Sequence, residues 1–231
     1  PIEENPSFDF TYTDDINIIF SATSLSLFES CPLSFKYRKI DRVNLKQTTP
    51  AALLGMHVHK VLEIIYSRRN SDINTIRNII DEIWKDSDFE NIYQSIEYKK
   101  EAEDIIYNYL SNNPISSKTK FLLEEKISIK MNSNKYIGKI DRIDILENED
   151  IKILDYKTSK KKKTTQATKK DLQLAYYSYL LMMSNKEKSY SKLPVSSSLE
   201  FVRHSDDPTV SVSFSNSDMI TIKERIENIT T

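Results

Sequence analysis

Between Lys135 and Ser159 the chain reads KYIGKIDRIDILENEDIKILDYKTS, two runs of alternating apolar residues joined by the polar turn Glu147-Asn148-Glu149-Asp150. Period-two alternation on both sides of such a turn specifies a β-hairpin. Centring it on Asn148 pairs Tyr136–Leu146 with Ile151–Lys157 and sets Asp141 across from Asp155. Because side chains alternate, both carboxylates then share one face. Lys157 joins them two residues on, and Ile143, Ile145, Ile151 and Ile153 complete that face. Two carboxylates and an ammonium at the end of an apolar face are costly unless partnered. A divalent cation between the two Asp, with Lys157 turned toward a substrate anion, removes that cost. An Asp-x-Lys triplet alone is common at solvated strand ends; the register is what gathers these charges.

Composition excludes several alternatives. With 231 residues, 29% charged and 39% hydrophobic, the chain reads as one generous globular domain with a real core. Its two glycines, Gly55 and Gly138, leave no Gly-rich phosphate loop, so P-loop and dinucleotide-binding readings fall away. Cys31 alone cannot build a disulfide framework and suits a reducing, intracellular setting, cytoplasm or nucleoid. No apolar run of about 18 residues occurs. The start at Pro1, without Met or a signal-like segment, fits an excised piece of something longer. The net charge of -1 argues neither for nor against nucleic acid, so distribution matters more. Seven lysines fall in KTSKKKKTTQATKK, from Lys157 to Lys170. Alone, such a run reads as a solvated loop. Leaving the strand directly after Lys157, however, Lys160, Lys161, Lys162, Lys163, Lys169 and Lys170 would form a cationic lip over the cation site, suited to a phosphodiester backbone.

Along the chain, residues 1–20 are acidic and irregular, a lead-in or linker to a domain spanning 21–231. SATSLSLFESCPLSFKYRKI, Ser21 to Ile40, predicts a helix capped by Ser21 or Thr23, stopped before Pro32 and followed by a short second helix. Leu25, Phe28, Phe35 and Tyr37 are expected in the core, with Cys31 a buried small hydrophobe. Thr49–Arg69 is a strong amphipathic helix striped by Leu53, Leu54, Val58, Val61, Leu62 and Ile65, with His59 and Glu63 one turn apart. Helices follow around Ile73–Lys85 and Ser95–Leu110, with Trp84 in the core. Phe121–Met131 is a strand preceding the hairpin. Asp171–Met183 is a helix carrying Gln173 and Tyr177 at i and i+4. Leu199–His204 and Val210–Phe214 are late strands, and Ser217–Ile229 is a closing helix. His57 and His204 take surface or core roles.

Taken in order, Gly55-x-x-x-His59, Glu124 or Glu125, Gly138-x-Ile-Asp141-Arg142, Asp155-x-Lys157-Thr158 and Gln173-x-x-x-Tyr177 resemble the PD-(D/E)xK nuclease superfamily. Within it the chain looks like the RecB-type nucleases of helicase–nuclease DNA repair enzymes and of CRISPR adaptation, whose opening is similar to Ser21–Tyr37. The resemblance covers roughly Ser21 to Leu181, and the late strand–turn–strand–helix suits versions attached to UvrD/Rep-like helicases. It implies an α/β, restriction-endonuclease-like core: a mixed central sheet with the active-site hairpin, flanked by the helices of His59 and Gln173. It further implies that His59, Asp141 and Asp155 bind Mg²⁺ or Mn²⁺, that Lys157 orients or activates the attacking water, and that Gln173 and Tyr177 support the site and contact DNA. Glu63 and Glu124 are supporting candidates.

Many such nucleases hold a [4Fe–4S] cluster whose first ligand is the Cys of a Cys-Pro pair, completed by three later cysteines. This chain has only Cys31, so no iron–sulfur cluster is expected. The expectation is a metal-dependent deoxyribonuclease acting on single-stranded ends or flaps in repair and recombination, with a helicase in the same chain or as a subunit. The alternatives are a catalytically silent module that binds DNA or scaffolds a repair complex, and RNA as substrate, since the backbone chemistry is shared.

Overall fold

The computed structural model describes residues 18–43, 48–184 and 191–230. Most of the expected lead-in thus lies outside the described residues, but Ile19–Phe20 (β1) already belongs to the sheet. Then follow α1 (Ala22–Ser30), α2 (Pro32–Phe35), a π-helical turn at Lys36–Ile40, α3 (Pro50–Arg68), α4 (Ile73–Ile83) and α5 (Ile92–Asn112). Strands β2 (Lys120–Met131), β3 (Asn134–Ile145) and β4 (Ile151–Lys157) come next. After them stand α6 (Thr165–Lys170), α7 (Leu172–Met183), β5 (Ser196–Phe201), β6 (Thr209–Val212) and α8 (Asn216–Thr230).

The helix starts follow from side-chain oxygens that satisfy otherwise unpaired amides. Ser21 and Ser24 form a reciprocal capping box on α1. Thr49 caps α3 with Pro50 in its first turn, and Asp171 caps α7. Cys31 departs from expectation: it is half-buried, and its Sγ accepts the Ser34 amide as the cap of α2. Tyr37 departs too, lying 47% exposed on the π-helical turn rather than in the core. The lysine stretch is not all loop, because Thr164 caps the short α6.

The six strands form one mixed sheet in the order β1-β3-β4-β5-β6, with β2 on the other edge of β3. The hairpin register is the one centred on Asn148: Ile145 pairs with Ile151, Ile143 with Ile153, and Arg142 with Leu154. The connection is closed by the Leu146 amide on the Asp150 carbonyl, with Glu149 in the left-handed region at φ 65. Beyond Leu154 the two strands part, since β4 continues in parallel with β5 as far as Lys157↔Phe201. The edge of β3 that faces β4 is next paired at Lys135 and Tyr136, by β1. Between these two partners it is open, and the Tyr176 hydroxyl lies 3.0 Å from the Ile137 carbonyl there. Asp141 sits at the upper end of that opening.

Helices cover both faces, so the hairpin is buried on both sides. On one face Ile143, Ile151 and Ile153 pack with Leu25 of α1, Tyr176 and Leu180 of α7 and Ile226 of α8. Helix α7 is buried almost all round, which its apolar run requires. It lies so close to β3 that a Cβ on Gly138 would meet Leu180 Cδ1 at 2.7 Å. On the other face Tyr156 and Val202 pack beneath α3, α4 and α5, with Val61, Ile79 and Ile106 fully buried. Each such aliphatic side chain contributes about 1.5–3 kcal/mol by leaving water. Asp141, Asp155 and Lys157 stand where the parting strands leave a gap between these helical layers.

Candidate active site

Helix α3 reaches the gap because Gly55 lets it approach. A Cβ there would lie 3.2 Å from Thr158 Oγ1, just after β4. One turn on, His59 Nδ1 comes 3.2 Å from Asp141 Oδ2, with its ring edge-on to Tyr156. The same Asp141 oxygen accepts the Tyr156 amide at 2.9 Å, replacing the ladder bond missing where β3 and β4 part. On the opposite side, β2 pairs with β3 in one continuous register that skips only the Glu124·Asp141 position. There Glu124 takes a left-handed backbone with φ 53. A non-glycine residue held so costs about 1–3 kcal/mol and persists only where its surroundings enforce it. The outcome is that Glu124 turns its carboxylate toward His59 and Asp141. Ligand atoms of the three lie within 4.8 Å of one another. Of the two residues the sequence offered here, Glu124 joins this group and Glu125 does not.

Asp155 is 3% exposed and held from α7. Gln173 Nε2 donates to its Oδ1 at 2.6 Å, while Gln173 Oε1 accepts from Lys157 Nζ at 2.9 Å. Lys157 Nζ also stands 2.5 Å from Asp155 Oδ2. One amide therefore bridges the carboxylate and the ammonium, and its two ends cannot exchange without losing both bonds. Tyr177 sits one turn on, its hydroxyl 3.4 Å from Gln173 Nε2, and burial pushes its phenol up to about 12. Burial first, then the charge of Asp141, pushes the Asp155 carboxyl up to about 6, against the opposing pull of Lys157 and His59. For His59 burial favours the neutral ring, but the hydrogen bond to Asp141 and the charges of Asp141 and Asp155 outweigh it, and its pKa rises.

Both shifts describe a site with too much buried negative charge. Asp155 Oδ2 and Glu124 Oε2 are buried, and each meets a lysine ammonium, Lys157 and Lys139 respectively. An imidazole nitrogen among carboxylate oxygens suits Mg²⁺ or Mn²⁺, the latter the more tolerant of nitrogen. The residues present thus fit a divalent cation.

The other sequence candidates are placed as follows. Glu63 pairs with Lys60 at 2.7 Å and lines, with His59, Glu124 and Asp141, an open cavity of about 630 Å³. Of the lysines, Lys162 pairs with Asp207, Lys163 with Asp171, and Lys169 with Asp218 while lying over the Phe214 ring. Lys160, Lys161 and Lys170 are exposed. Lys139 escaped the sequence reading; two residues before Asp141 in β3, it lines the same cavity. Arg142, next to Asp141, packs instead against Tyr66 of α3 and Tyr156 of β4.

A mixed sheet between helical layers, with its acidic, His- and Lys-bearing site where the central hairpin parts, defines a restriction-endonuclease-like α/β protein. The family model of the PD-(D/E)XK nuclease superfamily matches residues 19–227, and the chain belongs to that superfamily. The fold is similar to that of a crystal structure of a "Putative exonuclease" from Eubacterium rectale. The two share 14% identity at a TM-score of 0.55, over 98% of this chain and 85% of that one. Among curated proteins, none matches the chain. Among the described residues no helix is long and apolar enough to cross a membrane.

Proposed function

We propose that the protein is a RecB-like, Mg²⁺- or Mn²⁺-dependent deoxyribonuclease that hydrolyses phosphodiester bonds at single-stranded ends or flaps. In this reading it is the nuclease part of an intracellular DNA repair and recombination enzyme with a UvrD/Rep-like helicase. The observation that carries the nuclease reading is the Lys157 ammonium, tied through Gln173 to the buried Asp155 beside the His59–Glu124–Asp141 group. The single-strand preference and the helicase partner rest on the sequence resemblance.

Asp141, Asp155 and His59 would hold the cation, with Glu124 completing the donor set. Bound there, it lowers the pKa of water and neutralises charge at the phosphorus. The chain's own contribution is positioning. Lys157 can donate to the attacking water and to a non-bridging phosphate oxygen, because Gln173 fixes its ammonium at the mouth of the gap. Gln173 and Asp155 keep that ammonium charged and in place, so little reorganisation is needed as negative charge develops. Cleavage of labelled single-stranded and duplex DNA with Mg²⁺, Mn²⁺ or EDTA tests the reading. Cleavage of single strands with either cation and none with EDTA is expected. DNA binding without cleavage under every cation would point instead to a silent DNA-binding scaffold.

The exposed lysines give a second expectation. Replacing Lys160 and Lys161 with Ser should weaken single-strand binding and flatten its salt dependence, by about 0.7 in log–log slope for each phosphate no longer neutralised. Thermal stability should hardly move, since neither is buried. Salt titrations of binding, followed by fluorescence anisotropy, check this; an unchanged slope would make the segment a solvated loop and nothing more.

A further inference from the structure

Beside the site, on the α3–α4 side, His57 belongs to a cluster of near-parallel rings, meeting both Trp84 and, at 6.3 Å and 20°, Phe89. Its imidazole lies 4.3 Å from the Trp84 ring at an interplanar angle of 27°. Trp84 stacks on Phe89 at 5.1 Å and 9°, and Phe89 on Tyr98 at 5.7 Å and 24°. The indole cannot turn freely, because Trp84 Nε1 donates to Ser95 Oγ at 2.8 Å and Ser95 Oγ to Asp86 Oδ1 at 2.5 Å. Ser95 itself is fully buried. The His57 ring is thus held by a rigid support, and it is only half-buried. With one face against Trp84, it lines the 630 Å³ cavity together with Leu53 and Ile83, the same cavity that His59, Glu124 and Asp141 line.

We infer that His57 is a stacking platform for a nucleobase next to the scissile phosphate, so that the cavity takes one unpaired nucleotide of single-stranded DNA. The inference rests on the nuclease reading above and deepens it. Three features carry it. The cavity has the volume of a small-molecule site, within the usual range of about 300–1,000 Å³. Around the flat His57 ring stand the aliphatic Leu53 and Ile83 and the ammonium groups of Lys60 and Lys85, a mix that suits the face of a base and its phosphate and does not require a particular base. The cavity's other wall is the proposed cation site, so a base here belongs to a nucleotide whose phosphate lies at His59 and Asp141. A base inside a duplex has both faces covered by its neighbours and cannot use such a platform. Stacking on a preset ring thereby selects single strands without reading sequence.

The test compares His57→Ala and His57→Phe on two fluorescent single-stranded oligonucleotides. One carries every base; the other has abasic sites in place of the nucleotides flanking the cleaved bond. Wild type should cleave the full oligonucleotide with a KM about tenfold or more below that for the abasic one, on the scale of one stacked base. His57→Ala should lose this preference through KM, and His57→Phe should restore it. Circular dichroism shows whether each variant is folded, and 2-aminopurine quenching on binding reads stacking directly, without turnover. Equal KM values for both oligonucleotides with wild type, or a preference that survives His57→Ala, would overturn the platform. If wild type cuts neither oligonucleotide, the nuclease reading fails, and quenching that depends on His57 would still separate the platform from it.

Discussion

Asp155→Asn should abolish cleavage and, in metal-free protein at pH 7.5, raise stability. The two effects have one cause. Asp155 is buried beside Asp141 and its carboxyl is pushed up to about 6, so at neutral pH the folded protein holds this anion at a cost the unfolded chain does not bear. The folded pKa lies above the unfolded one, near 3.9, so between these values the native state binds more protons. Stability of the metal-free wild type therefore falls as pH rises from about 4 to about 6, and this contribution stays lost above that. At 1.36 kcal/mol per unit, the penalty is at most about 3 kcal/mol. Asn keeps an oxygen for Gln173 Nε2 and removes the charge, while its NH2 turns toward Lys157 Nζ, so the gain is smaller than the full penalty. Melting temperatures should then separate the proteins at pH 7.5 and converge near pH 4. Excess Mn²⁺ should reverse the order, stabilising wild type while barely moving the variant. Loss of the electrostatic arrangement should slow cleavage about 10²-fold or more. Wild-type cleavage by the folded variant would sink the assignment of Asp155, and an unchanged melting temperature at pH 7.5 would sink the charge argument.

The hairpin was legible because two independent signals agreed, the period-two run of Ile residues and the polar turn at Asn148. Together they fixed the register that pairs Ile143 with Ile153. The helices of His59 and Gln173 were legible for the same reason, as strong periodic segments with capping residues. Glu124 was only half legible. Its left-handed backbone is imposed by the two strands around it, and no local pattern distinguishes it from Glu125. Ile19–Phe20 was missed because a two-residue strand has no period, and it exists only because the start of β3 offers a free edge. Tyr37 was misplaced since an aromatic residue on a short helix reads as core until a π-turn rotates it outward. The ring stack under His57 draws on three separate stretches, which only the tertiary fold brings together.

Arg142→Met should destabilise the protein by about 3–5 kcal/mol, the cost of leaving a buried ion pair with one partner. Arg142 follows Asp141 in β3, packs among Tyr66, Phe121 and Tyr156, and is 7% exposed. Its guanidinium donates to Tyr156 Oη at 2.8 Å and to Asp144 Oδ2 at 3.2 Å, and stacks 4.3 Å from the Tyr66 ring. Burial pushes the Asp144 carboxyl above its ordinary range even with Arg142 beside it, and does the same to Glu200 nearby. Without the cation both carboxyls are held up further, so the variant's deficit should deepen as pH rises and shrink as they protonate. The loss should also reach the active site, because Tyr156 lies between Asp155 and Lys157 and its amide holds the Asp141 carboxylate. At pH 7.5 the melting temperature should fall by about 10 °C, at about 2–4 °C per kcal/mol for a chain of this size. The double variant Arg142→Met, Asp144→Leu should recover much of that stability, since it removes both charges rather than one. Recovery of stability without recovery of cleavage would show that the Arg142–Tyr156 bond positions the hairpin. A single variant as stable as wild type would mean that the surrounding tyrosines alone hold this layer together.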